Sequence, residues 1–147
     1  MRRGLVVVWL GCCIVTGCGG GASGSAERLR RAAARICTAA NRRFERLKTP
    51  ALGRGDEAFL KRGIPVLEGE LRQLGAQRAD GEDQSVYGRA LSATAREIVE
   101  LRHAVGALDH HQDPAMAFAA LQRRLGPLET QANDAWRTLQ LPACLSR

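Results

Sequence analysis

Aromatic residues are scarce in this chain: three Phe, two Trp and one Tyr, 4% of 147 residues. A core must therefore come mainly from Leu, Ala, Ile and Val. Without aromatics interleaved among its basic residues, a stacking platform for single-stranded nucleic acid is not expected. Lysine is almost missing, with Lys48 and Lys61 the only two, so arginine carries the basic charge. Together with abundant alanine, this points to a GC-rich genome, which is a coding bias and not a mechanism. There is no Cys-x-x-Cys, no Gly-x-Ser-x-Gly elbow and no glycine-rich phosphate loop following a strand. Strand-like alternation does not compete anywhere with the helical period. The longest apolar stretch, Leu5 to Gly17, has 13 residues, whereas a spanning helix needs roughly 20.

That short apolar stretch sits where a secretory signal would. Arg2 and Arg3 precede Leu5-Val6-Val7-Val8-Trp9-Leu10, and small residues follow. Val15-Thr16-Gly17-Cys18 is similar to a bacterial lipobox: an aliphatic residue three before the cysteine and a small one just before it. Cys12 has Trp9 in the aliphatic slot, and Cys13 has a cysteine in the small slot, so Cys18 is the expected lipidation site. The blander alternative is a secreted protein cut near Gly17 or Ala22. Residues 1–17 read as signal peptide, and 18–25 as lipidated cysteine plus Gly/Ser tether. Residues 26–147 read as one domain, large enough for a core. The expected location is the extracytoplasmic face of the bacterial cell membrane, lipid-anchored.

Positive charge concentrates next to that anchor. Residues 26–48 hold eight basic residues against Glu27 and Glu45, a net +6, while residues 49–147 hold 12 basic and 13 acidic. Arg28, Arg31, Arg35, Arg42 and Arg46 are the candidate membrane-facing set, because anionic headgroups attract each basic residue near the surface by roughly 1 kcal/mol. A solvated helix face in an arginine-biased chain is the plainer account, and salt screens the attraction. Nucleic acid is not an expected partner of an exported chain.

Four segments space apolar residues alternately three and four apart. The first runs from Ala26 to about Lys48 through Leu29, Ala33, Ile36, Ala40, Phe44 and Leu47, with Ser25 as its expected N-cap and Thr49-Pro50 as its stop. The second runs from Asp56 to about Arg78 through Leu60, Ile64, Leu67, Leu71 and Leu74, with Gly63 and Pro65 predicting a kink or a start near Pro65. The third runs from Asp83 to about Leu108. The fourth starts at Asp113-Pro114, a good N-cap and N1 pair, and Gly126-Pro127 is expected to bend it. Short connections favour antiparallel neighbours. The expected fold is all-α: an antiparallel up-down-up-down four-helix bundle.

Cys12 and Cys13 leave with the signal, and Cys18 takes lipid. Cys37 and Cys144 remain, and in an exported domain they predict one disulfide. In that topology the fourth helix ends near the start of the first, which favours the pairing. However, Cys37 lies about 11 residues inside the first segment, about 16 Å from its start. Either that helix projects beyond the bundle, or the C-terminal tail climbs along it. Asn41, one turn after Cys37, is placed to bond the tail's backbone.

Other constellations are weak. Glu100-x-x-His103 matches one half of a di-iron carboxylate motif, but the stripe of Ile98, Leu101 and Val105 turns it away from the core. Asp109-His110-His111-Gln112-Asp113 offers metal-type ligands in what reads as a solvated turn. No metal, cofactor or catalytic set is expected, and an enzyme is not expected.

The lipobox cysteine, the Gly/Ser tether, Cys37-Thr-Ala-Ala-Asn41, three further Leu/Ala-rich helices and Leu141-Pro-Ala-Cys144 together resemble small uncharacterised disulfide-closed helical lipoproteins of GC-rich bacteria. The resemblance covers nearly all of residues 18–147. It implies the bundle and the bridge, and brings no substrate. The expected function is a non-enzymatic, membrane-anchored interaction or binding module of the cell envelope, meeting an envelope protein or ligand. The alternative is a ligand-binding bundle for a hydrophobic small molecule or metal, with a pocket at the Gly/Pro bends.

Overall fold

A computed structural model of the chain describes residues 21–47 and 56–145. Cys18 and its lipobox, Thr49-Pro50, and residues 146–147 lie outside the described residues. Four α-helices appear: α1 (Gly21–Glu45), α2 (Asp56–Gly75), α3 (Asp83–Asp109) and α4 (Pro114–Thr138). One turn of 3-10 helix, Pro142–Cys144, follows them, and there is no strand among the described residues.

The helix ends follow the local chemistry with two corrections. The Asp113 side chain accepts from the Met116 N–H at 3.1 Å, the expected N-cap of α4. α2 starts at Asp56 rather than near Pro65 and runs through that proline. It ends at Gly75, three residues short of the expected Arg78, where the buried Tyr87 hydroxyl donates to the Leu74 carbonyl at 2.8 Å. α1 starts at Gly21, so Gly21–Ser25 is helical and Ser25 sits inside the helix instead of capping it. This part of the expected tether contains no proline to forbid helical backbone, and Ala22 is the best of helix formers.

The core is built from small side chains. Ala33, Ala90 and Ala93 are fully buried, with Ala135 close behind. Side chains this small let helices approach closely and leave little to fill between them. Two of the few aromatics meet in the middle, Tyr87 and Trp136, edge to face at 5.8 Å between ring centroids. The most extensive helix contact is α3 with α4, followed by α2 with α3. Near one end of the α2–α3 pair, the Lys61 ammonium bonds Asp109 at 2.6 Å; near the other, Tyr87 reaches Leu74. Arg96 bonds Gln131 and Arg124 bonds Glu100 across α3 and α4.

α1 packs on α2 and on the tail. Cys37 and Cys144 form a disulfide that joins positions 107 residues apart. The tail climbs along α1, which is how a cysteine well inside that helix is reached. The Arg30 Nε donates to the Leu139 carbonyl at 3.1 Å. Further along, the Asn41 Nδ2 donates to the Ala143 carbonyl at 3.1 Å, as its position one turn after Cys37 suggests. Leu139 and Leu141, each 1% exposed, close the space beneath. Gln140 adopts φ 58°, turning the chain between them.

Burial pushes the Tyr87 phenol up from its ordinary 10.0 to about 12. The folded chain therefore keeps a proton that the unfolded chain releases between about pH 10 and 12, and stability falls as pH rises through that window. Urea titrations should show this loss in the native chain and a shallower slope in Tyr87→Phe, where only the contribution of Lys61, whose pKa is also raised, remains. At neutral pH the same substitution should cost about 1–2 kcal/mol, the worth of a buried hydrogen bond. An alkaline slope undiminished in the variant would assign the whole of it to other groups.

Candidate functional site

Three glutamates occupy positions that the helical period reserves for the core. Glu70 lies three after Leu67 and four before Leu74. Glu97 lies three after Thr94 and four before Leu101. Glu129 lies four after Leu125 and three before Ala132. Residues at these spacings share one helix face, so the three carboxyls turn inward from α2, α3 and α4.

They line a common cavity of about 390 Å³. Its apolar wall includes Phe44 of α1, Phe59 of α2, Leu101 of α3, and Leu125 and Trp136 of α4. Cys144 of the bridge also reaches it. Thr94 adds a hydroxyl. Glu70 is 3% exposed and Glu97 is half-buried, and both take part in interactions within the protein. The size falls in the range of about 300–1,000 Å³ that small-molecule sites occupy, and apolar walls with a few polar groups are their usual lining.

The cavity meets the expected Gly/Pro positions on one side only. Gly63 is in its wall, where a Cβ would stand 3.2 Å from the Phe44 ring, so the missing side chain lets that ring approach α2. Gly126 and Pro127 are exposed, and α4 runs on through them. Leu125 and Glu129 on either side of that pair make the α4 wall instead.

The arginines expected to face a membrane are brought together. Arg28, Arg31, Arg35 and Arg42 are exposed on α1, and Arg46 is exposed in the turn just beyond it. Steps of three, four, seven and four residues keep them on one side of the helix. From Arg28 to Arg42 the row extends about 21 Å. Arg31 pairs with Glu27 at 3.3 Å. Arg30 belongs to another face, bonded to the tail and 3.7 Å from Asp83.

The remaining sets are accounted for by surface contacts. Glu100 lies 3.2 Å from Arg124 and 3.6 Å from His103. His110, His111 and Gln112 are exposed in the turn after α3, His111 with φ 60°. The carboxylate of Asp109 is held below its ordinary range by its bond to Lys61, whose own pKa is raised by the bonds to Asp109 and Glu57. Among the described residues no three His, Cys, Asp or Glu side chains converge as a metal-ligand set, and no helix is long and apolar enough to cross a membrane.

These features define a class: an all-helical, disulfide-closed domain with a partly open cavity lined by aromatic rings and carboxyls, and an exposed arginine row. Compared with family models, curated proteins and solved structures, the chain has no match.

The cavity makes a direct claim about space. Ala132 lines it, whereas Ala93, 0% exposed, does not. Ala132→Leu should therefore change stability by less than about 1 kcal/mol, while Ala93→Leu should cost about 1–3 kcal/mol through overpacking. Equal losses in urea unfolding would mean that the space beside Ala132 is already filled.

Proposed function

We propose that this chain is a non-enzymatic lipoprotein, anchored through Cys18 to the extracytoplasmic face of the cell membrane, and that it acts as a binding module of the cell envelope. Its helical body is an antiparallel up-down-up-down bundle; the Lys61–Asp109 and Tyr87–Leu74 bonds, near opposite ends of α2 and α3, support that course. Export is supported by the lipobox pattern and by the Cys37–Cys144 disulfide, since such bonds persist in oxidising compartments. The observation that carries binding is the cavity of about 390 Å³ with its largely apolar wall. Its occupant is a small, mainly apolar molecule. A metal ion fits less well, because the three carboxyls do not converge on one point.

The arginine row supports a second element of the reading. With α1 beginning at Gly21, three residues after Cys18, a lipid on that cysteine holds the helix close to the bilayer. Lying along the surface, α1 would set Arg28, Arg35 and Arg42 among anionic headgroups.

Mass spectrometry of the full chain purified from membranes tests both parts. The expected result is an N-terminal peptide carrying a diacylated Cys18, together with one small apolar molecule extracted per chain. A free N-terminus elsewhere contradicts the anchor. A chain with no extractable molecule contradicts the binding reading.

A further inference from the structure

The sign of the cavity runs against the sign of the chain. The whole sequence carries 22 Lys and Arg against 15 Asp and Glu. Yet the cavity wall holds Glu70, Glu97 and Glu129, and no Lys, Arg or His. The aromatics are concentrated in the same way. Of only three Phe, two Trp and one Tyr in the sequence, Phe44, Phe59 and Trp136 line this one space. Carboxyl groups and aromatic rings in one apolar enclosure are what recognises an organic cation. The ring quadrupole attracts positive charge, most strongly where water is excluded. A carboxylate offsets the cost of taking that charge out of water.

We propose that the cavity binds a lipophilic cation: an apolar body bearing a protonated amine or a quaternary ammonium. This rests on the binding reading above and specifies its ligand. Glu70 and Glu97, engaged inside the protein, add polar groups at the buried side. Glu129 is the contact carboxylate: it is half-buried and has no hydrogen-bond or ion-pair partner among the described residues. An anionic amphiphile of the same size meets the Glu129 carboxylate and has no base in the wall to neutralise it.

Three diazirine-tagged probes with one alkyl chain test this: a primary amine, an alcohol and a carboxylic acid. Each is added at neutral pH to the full chain reconstituted in phosphatidylcholine vesicles. After irradiation, labelled peptides are mapped, with labelling normalised to the probe content of the vesicles. The amine should label peptides bearing Leu101 and Leu125 about tenfold more than the alcohol, the worth of one charged hydrogen bond, and the acid least. Glu129→Gln should lower amine labelling to the alcohol level and leave alcohol labelling unchanged. Equal labelling by the three probes, a preference for the acid, or an amine preference that survives Glu129→Gln would overturn the proposal while leaving an apolar binding site standing. No labelling of these peptides by any probe would overturn both the proposal and the reading beneath it.

Discussion

The join between α1 and the C-terminal tail is the constraint on which the rest of this structure depends. α1 packs on α2 and on the tail. Among its described residues the tail has one 3-10 turn as its regular structure, and it is tied to α1 by the Cys37–Cys144 bridge and by bonds from Arg30 and Asn41. A cross-link closing a loop of this length restricts the unfolded chain by roughly 4–5 kcal/mol in the chain-entropy account. For a domain whose net stability is expected to be about 5–15 kcal/mol, that is a large share. The bridge also brings the Phe44 side of α1 to the cavity, because Cys144 and Phe44 share its wall.

Scarcity of aromatics and abundance of alanine shape the molecule together. Alanine at Ala33, Ala90, Ala93 and Ala135 lets the helices approach around the bridge and the Tyr87–Trp136 contact. Towards Phe59 and Leu101 the packing opens into the cavity. One part of the molecule is therefore dense and cross-linked, and another is open and acidic. The arginines divide similarly. Arg30 bonds the tail, while Arg28, Arg35 and Arg42 lie on the exposed face of α1, free to meet an external surface.

Much of the fold was legible from residue spacing. The starts of α2, α3 and α4 follow from Asp56, Asp83 and Asp113-Pro114, the pairing of Cys37 with Cys144 from their being the two cysteines left, and the Asn41 bond from its place one turn after Cys37. The start of α1 was not legible, since Gly21-Ala22-Ser23-Gly24-Ser25 has the composition of a linker; nothing local prevents the helix from extending into it. The cavity was half legible. Gly63 marked its α2 wall, but Gly126-Pro127 pointed to the outside of α4. Its carboxyls were missed because a hydrophobic-period reading assigns glutamate to the surface by its charge. Glu70, Glu97 and Glu129 stand three or four from stripe residues on both sides, but Arg43, Glu68, Arg102 and Arg124 share that spacing, so it does not single them out without the structure.

The claim that the bridge holds α1 against the remaining helices is tested most directly by hydrogen exchange on the full chain, with the disulfide intact and after mild reduction. The account predicts that amides of α1 and of residues 141–145 lose protection on reduction, while those of α3 and α4 keep theirs. Protection of α1 that is unchanged when the bridge is opened would contradict it.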